Sequence, residues 1–282
     1  MEEVSAQSRL LREVEALLTR AKVPDASSVS VQIVAAAQSD PARAIAMANE
    51  YLLGKPLAYL LGRQKFMGIE LLTQPGALVP REETELLGAA AVQAVREQLD
   101  VEETEEFYTI DMCCGSGNLA CGIASALPQI RLWASDLSAD CVSIARRNVV
   151  HLGLTDRVEV VQGDLFASLV DRGLEGKITA VVCNPPYIST KRLEESSAAL
   201  LRHEPRNAFD GGPYGISVYQ RVVKEAIPFL RPGGSLLFEI GVGQVRQVRA
   251  LFDRPGTYEG ITSINDKSGE ARVVFGKKKR NL

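Results

Sequence analysis

The chain contains 282 residues, of which 46% are hydrophobic and 24% are charged, and its formal net charge is −3. At about 150 residues per domain this length predicts one or two domains, and the apolar content excludes disorder over most of the chain. A slightly acidic chain lacks the basic face that holds nucleic acids by their phosphates. No apolar run is as long as the about 20 residues needed to span a bilayer. The N-terminus, Met1-Glu2-Glu3, is acidic and is not followed by the apolar stretch of a secretory signal. A cytoplasmic protein with no membrane and no direct nucleic-acid contacts is therefore expected.

The cysteines are five in number: Cys113, Cys114, Cys121, Cys141 and Cys183. An odd number in a chain of this length does not indicate a disulfide framework. There is no Cys-x-x-Cys pair and there are only two histidines, so no metal site is predicted. The pattern is typical of small buried side chains in a reducing compartment.

The N-terminal residues 1–64 are predicted to form a helical domain. Asp40 precedes Pro41, as at a capped helix start, and this helix should end at Gly54. Such a domain either packs against the rest of the chain or holds a partner. The apolar spacing of the first helix is carried by Leu10, Leu11, Val14, Leu17, Leu18 and Ala21.

Residues 65–83 lose the helical period. Two extended stretches, Phe66–Leu72 and Ala77–Val79, flank Pro75-Gly76 and predict a short hairpin or linker. A helix is predicted at Thr84–Leu99, and an acidic loop should follow at residues 100–106.

From Phe107 onward, strands alternate with helices, which predicts an α/β domain over residues 84–282 with a mostly parallel sheet. Two final strands without a helix between them predict an antiparallel pair at one sheet edge. The basic run Lys277–Arg280 is expected to be a solvated, frayed terminus. The predicted strands are Phe107–Met112, Ile130–Ser135, Val158–Gln162, Ile178–Cys183, Ser235–Ile240, Ile261–Ile264 and Ala271–Phe275, and the helices are Asn118–Ala126, Ala139–Leu152, Val218–Leu230 and Gln244–Phe252.

Glycines and acids follow the first three strands of this domain. Gly115 and Gly117 let the backbone turn tightly under a ligand. Ala120 replaces the third glycine of the dinucleotide fingerprint, which argues against NAD. Asp136 ends the second strand, where a carboxylate can bind both hydroxyls of a ribose, and Asp164 after the third strand can bind an adenine amine.

The most specific motif is Asn184-Pro185-Pro186-Tyr187, after the fourth strand. Two prolines fix the backbone and remove two N–H donors, so carbonyl groups can face a ligand. Asn184 adds an amide oxygen as acceptor, and Tyr187 adds a flat face. Two acceptors and a ring form a cradle for a planar NH₂ group and would aim its nitrogen at an electrophile.

This motif resembles the Asn-Pro-Pro-Tyr signature of S-adenosylmethionine-dependent methyltransferases that act on planar amino groups. Nearly the whole chain is similar to the HemK-type family, which methylates the glutamine side-chain amide of peptide chain release factors. The residues that carry the resemblance are Gly54–Gly62, Val79–Glu85, His203-Glu204-Pro205, Gly211-Gly212, Glu239-Ile240-Gly241 and Gly269–Val274; Pro232-Gly233-Gly234 is common to class I methyltransferases generally.

The resemblance implies a class I, Rossmann-like methyltransferase with a mostly parallel seven-stranded sheet and an N-terminal helical domain that recognises the substrate. It implies S-adenosylmethionine as cofactor, with S-adenosylhomocysteine as product. Asn184, Pro185 and Tyr187 would be catalytic. The implied cofactor-binding residues are Asp111, Gly115, Gly117, Asp136, Leu137, Asp164, Leu165 and Asn184, and the implied substrate-binding residues are Arg81, Glu85, Pro186, Tyr187, His203 and Glu204.

Four departures from the family pattern leave the acceptor open. Met112-Cys113-Cys114 occupies the start of the glycine loop, where Asp-Leu-Gly-Thr-Gly is usual. Phe66-Met67 stands where the family usually has an aromatic pair. His203 stands in place of the usual tyrosine, and Phe209 stands in place of the usual leucine. One alternative acceptor is therefore a free small molecule with an amide or guanidinium group, such as arginine, bound by Glu204 and the acids at 82–85. DNA adenine and a protein that binds a partner without catalysis are further alternatives.

Overall fold

The computed structural model describes residues 2–99, 107–196 and 200–280. The chain begins with four helices, α1 (Glu2–Arg20), α2 (Ala26–Ala36), α3 (Pro41–Leu52) and α4 (Leu57–Leu61). As predicted, Asp40 caps α3 by accepting a hydrogen bond from Arg43 N at 2.9 Å. The first three helices bury a core of their own, which includes Val14, Leu18, Ile33, Ala44 and Ala48. No described helix is both long enough and apolar enough to cross a membrane.

A two-stranded hairpin follows, formed by β1 (Arg63–Phe66) and β2 (Ile69–Leu72). Its turn lies at Met67-Gly68, where φ is 46° and 80°. Two successive left-handed residues are the hallmark of a tight type I′ hairpin turn. Pro75 and Gly76 do lie in a turn, as predicted, but residues 77–79 form no strand, so the predicted pairing of Phe66–Leu72 with Ala77–Val79 is wrong.

The second part of the chain forms one seven-stranded sheet covered by helices. The predicted strands and helices are confirmed, with two larger differences. The strand predicted from Ser235 begins at Leu230, because Leu230 already pairs with Ile178 across a register shift. Because β7 already begins at Leu230, the helix predicted to reach Leu230 ends earlier, at Glu225. The predicted acidic loop at 100–106 lies outside the described residues. The elements are α5 (Glu85–Leu99), β3 (Phe107–Met112), α6 (Asn118–Ala126), β4 (Ile130–Asp136), α7 (Ala139–His151), β5 (Val158–Gln162), β6 (Ile178–Cys183), α8 (Thr190–Ser196), α9 (Ser217–Glu225), β7 (Leu230–Glu239), α10 (Val245–Asp253), β8 (Tyr258–Asn265) and β9 (Ala271–Lys278).

The strand order in the sheet is β5-β4-β3-β6-β7-β9-β8. Strands β3 to β7 are parallel, and β9 and β8 are antiparallel, as predicted for the final pair. The chain leaves β3 toward β4 on one side and returns as β6 on the other, so a topological switch point lies between β3 and β6. Crevices at such points bind ligands in open α/β sheets.

The basic run near the C-terminus is not frayed, so that prediction is wrong. Lys277 and Lys278 belong to β9, and Lys278 Nζ donates to the carbonyl oxygens of Ile227 and Leu230, each at 2.7 Å. These carbonyl oxygens stabilise the charged ammonium group of Lys278, while the methylene groups of its side chain cover apolar surface. The end of β9 is thereby tied to the start of β7 and to the turn before it.

Met67 fixes the hairpin to the α/β domain. Its backbone N–H donates to Glu85 Oε1 at 2.7 Å, and its side chain lies between Gly88 of α5 and Gly122 of α6. A Cβ atom at Gly88 would lie 2.2 Å from Met67 Sδ, which is far inside van der Waals contact. The two helices thus form a slot for the Met67 side chain, and a residue larger than glycine at position 88 or 122 would fill it. Asn148 of α7 adds a second attachment, because its amide exchanges hydrogen bonds with both backbone groups of Leu72.

We predict that Gly88→Ala destabilises the protein, although alanine normally favours a helix over glycine by about 1 kcal/mol. The added methyl group collides with Met67, and overpacking costs about 1–3 kcal/mol. In a Met67→Ala background the same substitution should stabilise, because the slot is then empty. Urea unfolding of the four proteins of this double-mutant cycle measures the sign reversal. An equal effect of Gly88→Ala in both backgrounds would contradict the packing role of Met67.

Candidate active site

One cavity of about 680 Å³ opens at the carboxyl ends of β3, β4, β5 and β6. This volume is typical of small-molecule sites. It is closed on one side by the segment before α5 and on another by residues 206–210. Of the residues predicted for the site, the cavity is lined by Arg81, Gly115, Asp136, Leu137, Asp164, Leu165, Asn184 and Pro186.

Asp136 organises the glycine loop at one end of the cavity. Its Oδ2 accepts a hydrogen bond from Gly115 N and its Oδ1 accepts one from Ser138 N, both at 2.9 Å. Burial raises the pKa of Asp136, and these backbone donors oppose the shift. Gly115 has a φ of 54°, and the position of its missing Cβ has no atom within 4 Å. The loop therefore presents bare backbone beside a carboxylate, an arrangement that fits the two hydroxyls of a ribose.

The adjoining part of the cavity combines apolar walls with one acid. Leu137 is 66% exposed and Leu165 is buried, and both line the cavity. An exposed leucine at a cavity mouth is available to cover a flat ring. Asp164 Oδ1 accepts a hydrogen bond from Arg221 at 2.8 Å, and the Asp164 side chain is 55% exposed. These residues fit a nucleoside base with an exocyclic amine.

Asn184 at the other end of the cavity is oriented by a buried polar chain. Its Nδ2 donates to Thr84 Oγ1 at 3.3 Å. Burial raises the pKa of Glu239, while the Thr84 hydroxyl and the Arg272 guanidinium oppose this shift. Thr84 thus lies close to the Glu239 carboxylate, and its hydroxyl oxygen accepts from the Asn184 amide. With its NH₂ group thus engaged, Asn184 has its amide oxygen available to a ligand.

Tyr187 is not among the residues that line the cavity. Burial raises the pKa of its hydroxyl, as does the nearby Glu239 carboxylate, whereas Arg272 opposes the shift. The phenol thus faces the Glu239–Arg272 ion pair, which is 3.5 Å long. Pro186 lines the cavity but Pro185 does not, so contacts of the Pro185 carbonyl and of the Tyr187 ring with an acceptor stay predictions.

Two glycines that the sequence resemblance singled out pack against the Asn-Pro-Pro-Tyr loop. A Cβ at Gly211 would lie 2.6 Å from Pro186 O, and one at Gly241 would lie 2.9 Å from Tyr187 Cδ2. Neither position has room for a side chain. The loop is also held by Gln244, whose Nε2 donates to Tyr187 O at 3.0 Å. The loop that carries Asn184 is therefore enclosed on several sides by backbone.

Asp111 and Gly117 lie beneath the glycine loop rather than in the cavity. Asp111 is fully buried and its Oδ2 accepts a hydrogen bond from Ala120 N at 2.9 Å. Gly117 has a φ of 76° and approaches Ala145 of α7, where a Cβ would lie 3.0 Å from the alanine Cβ. Both residues position the loop from behind, and direct contact with a cofactor stays a prediction.

Three predicted substrate-binding residues also lie outside the cavity. Glu204, whose side chain is 4% exposed, accepts hydrogen bonds from Val79 N at 3.0 Å and from Arg81 at 2.6 Å. His203 Nε2 lies 3.5 Å from Leu53 O at the end of α3. Glu85 does not line the cavity and accepts a hydrogen bond from Met67 N of the hairpin turn, and its contact with a substrate stays a prediction. Arg81 lines the cavity itself.

Sequence reasoning assigned no function to several residues of the cavity. Thr84 was visible as part of the Val79–Glu85 motif, but its partner Asn184 lies a hundred positions away. Cys113 was visible as a departure from the family pattern. The other residues gave no local signal, because their positions depend on how residues 206–210 and α9 fold over the sheet: Arg206, Asn207, Ala208, Asp210, Val218 and Arg221.

We predict that Asp111 makes stability depend on pH. Burial raises its pKa from 3.8 to about 8, and within the described residues its Oδ1 has no hydrogen-bond partner. The folded protein therefore binds a proton that the unfolded chain releases above about pH 4, so this contribution to stability is lost as the pH rises toward 8. Asp111→Asn should remove this loss. Urea unfolding at pH 6 and pH 9 compares the two proteins, and an identical pH dependence would show that Asp111 is ionised throughout.

The chain is similar to known proteins in sequence and in fold. Residues 90–213 match the family model of the methyltransferase small domain. The release factor glutamine methyltransferase of Moorella thermoacetica is 42% identical over 79% of this chain and 75% of its own length. The enzyme of that name from Caulobacter vibrioides is 31% identical over 99% of this chain and 91% of its own length.

A human methyltransferase 10 domain containing protein shares the fold, with a TM-score of 0.56 and 14% identity over 77% of this chain and 90% of that chain. The seven-stranded sheet is accordingly that of a class I methyltransferase. Given the identity to curated relatives over most of both lengths, this chain belongs to the release factor glutamine methyltransferase family of enzymes.

Proposed function

We propose that this protein transfers a methyl group from S-adenosylmethionine to the glutamine side-chain amide of a peptide chain release factor. The observation that carries the proposal is that Gly115, Asp136 and Asn184 line one cavity. The residues proposed to bind the cofactor and those proposed to bind the acceptor therefore border one continuous cavity. The names of the curated relatives support this choice of acceptor.

The cofactor end fits S-adenosylmethionine by the chemistry of its residues. The Asp136 carboxylate binds the ribose hydroxyls, Leu137 and Leu165 cover the adenine, and Asp164 accepts from its amine. The bare backbone at Gly115 accommodates the amino-acid part of the cofactor. When bound, the cofactor supplies an electrophilic methyl group on its sulfonium.

The acceptor end is suited to a neutral planar amide. An amide nitrogen is a weak nucleophile because its lone pair is delocalised into the carbonyl. Asn184 Oδ1 and the Pro185 carbonyl accept the two N–H groups and hold the nitrogen at one orientation. Catalysis in this proposal comes from positioning and from acceptors that draw on the N–H bonds. The polar chain through Thr84 keeps Asn184 from turning its NH₂ group toward the substrate.

A guanidinium acceptor such as free arginine is less well matched. It requires a carboxylate in bidentate geometry, and two acids near the acceptor end, Glu204 and Asp210, already have partners. Glu204 holds Arg81 and Val79 N. Asp210 accepts from Thr190, Arg206 and Gly212 N. A guanidinium would have to displace one of these partners.

The N-terminal domain, residues 1–64, recognises the protein substrate in this proposal. It has its own apolar core, so its outer face is not needed for folding. Leu53, next to His203, is 72% exposed. His203 adjoins Glu204, whose partner Arg81 lines the cavity. A protein bound to α3 would thus lie beside the segment that borders the acceptor end.

We predict that Asp136→Ala weakens S-adenosylmethionine binding by about 1–3 kcal/mol, as expected for lost hydrogen bonds to a charged group. Isothermal titration calorimetry measures the affinity. Asp140→Ala is the matched control, since it removes an exposed carboxylate four residues away that does not line the cavity. Equal affinity in both variants would refute the ribose assignment.

The acceptor is tested by incubating the enzyme with labelled cofactor and either a purified release factor or free arginine. We expect one methyl group on a release-factor glutamine, seen by mass spectrometry, and none on arginine. Asn184→Ala should lower turnover by about 100-fold or more, the scale of a lost active-site acceptor, with little change in cofactor affinity.

Asn184→Asp separates the two acceptors, because it keeps the size of the side chain and adds a negative charge. A neutral amide should still react poorly with this variant, whereas a cationic guanidinium should be partly tolerated. Near-normal turnover of Asn184→Ala would show that the Asn-Pro-Pro-Tyr loop is not the acceptor site. Methylation of arginine alone would replace the proposed substrate.

A further inference from the structure

Cys113 occupies a backbone position that favours glycine. It follows β3 at the start of the glycine loop, and its φ is 59°. A side chain in this left-handed conformation costs about 1–3 kcal/mol and persists where its surroundings hold it in place. The similar family has glycine in this part of the loop, so the cysteine brings a thiol into the cavity wall at an energetic cost.

A second thiol lies beside it. Met112 pairs with Cys183 in the register of β3 and β6, so Cys113 is one residue beyond the paired position. Neighbouring strands are about 4.8 Å apart and rise about 3.3 Å per residue, which gives a Cα separation of about 6 Å, within the range of disulfides. Both side chains pack in the same apolar cluster. Burial raises the pKa of the Cys183 thiol, and a hydrogen bond with Cys113 acts in the same direction.

The two thiols differ in access. Cys113 is half-buried and lines the cavity, whereas Cys183 is fully buried. The other cysteines near the cavity point elsewhere. Cys114 is buried with its sulfur 4.0 Å from its neighbour Gly115 O, and the Cys141 thiol donates to Gly76 O at 3.5 Å. An accessible thiol next to a buried partner is the usual arrangement of an oxidisable cysteine with a resolving cysteine.

We propose that Cys113 and Cys183 form a reversible disulfide when a hydroperoxide enters the cavity. The Cys113 sulfur takes one oxygen from the peroxide to become a sulfenic acid, and hydrogen peroxide is reduced to water. The Cys183 sulfur then attacks the Cys113 sulfur, an S–S bond forms, and the hydroxyl group leaves with the Cys183 proton as a second water. A dithiol reductant reverses the reaction by thiol–disulfide exchange.

The bond would disable both ends of the cavity. Formation of the disulfide brings the two sulfur atoms to a bond length of about 2.05 Å, so the residues that carry them must move closer together. Cys183 immediately precedes Asn184, and Cys113 is two residues before Gly115. A shift of about 1 Å in an active site lowers turnover by about 100-fold. This loss of turnover rests on the proposed function, whereas formation of the bond does not.

The test begins with the intact reduced protein treated with hydrogen peroxide, quenched with iodoacetamide, digested and mapped by mass spectrometry. We expect a cross-linked peptide that contains Cys113 and Cys183 and that disappears after dithiothreitol. The Cys121→Ser variant, which alters a buried cysteine outside the cavity, should still give this peptide. Sulfinic or sulfonic acid at Cys113 without a cross-link, or a bond between Cys113 and Cys114, would overturn the proposal.

Two variants test the role of each thiol with substitutions that the fold should tolerate. Cys183→Ala removes the resolving thiol, and Cys113→Gly suits the left-handed backbone. Neither should form the cross-link. In Cys183→Ala the Cys113 sulfenic acid has no resolving thiol, so excess peroxide should carry it on to sulfinic acid, which dithiothreitol does not reverse. Cofactor affinity and turnover are measured in parallel on the wild-type protein. A cross-link without any loss of turnover or cofactor binding would overturn the claim that the bond disables the cavity. A reduced protein that binds no cofactor and methylates nothing would instead refute the proposed function and leave the cross-linking result standing, so the two failures are distinct.

Discussion

The buried ion pair between Glu239 and Arg272 anchors the acceptor end of this molecule. It joins the end of β7 to the start of β9, and their side chains are 3% and 11% exposed. Thr84 stabilises the same carboxylate and receives the amide of Asn184. A buried charge pair of this kind is costly to disturb once one partner is removed. The orientation of a single amide group, on which the proposed chemistry depends, is therefore tied to the sheet.

The sheet topology explains why cofactor and acceptor residues share one cavity. The strands that carry the glycine loop and the Asn-Pro-Pro-Tyr loop, β3 and β6, are neighbours in the sheet but are far apart in sequence. Their carboxyl ends meet at the switch point, where the two chain directions diverge. The same proximity brings together Cys113 and Cys183, so one feature of the fold produces both the proposed active site and the proposed disulfide.

The positions of the sheet strands could be predicted because buried parallel strands are continuous apolar runs, and the intervening helices have clear apolar faces. Two predictions failed where the deciding contacts are not local. Pro75 and Gly76 form a turn, but no strand follows them; the hairpin reverses at Met67-Gly68, and a slot between α5 and α6 receives the Met67 side chain. Lys278 looks solvated in the sequence, yet it binds carbonyls before β7.

The class of fold and the positions of the glycine loop, Asp136 and the Asn-Pro-Pro-Tyr motif can be read from the amino-acid sequence, since each depends on residue types next to one another in a strand and its following turn. Which of these side chains face the cavity depends on the folded chain. It left Asp111 beneath the loop, turned Tyr187 toward Glu239 and engaged Glu204 with Arg81. The reason is physical: a polar side chain takes the orientation in which its hydrogen bonds are satisfied, and its partners here come from distant parts of the chain.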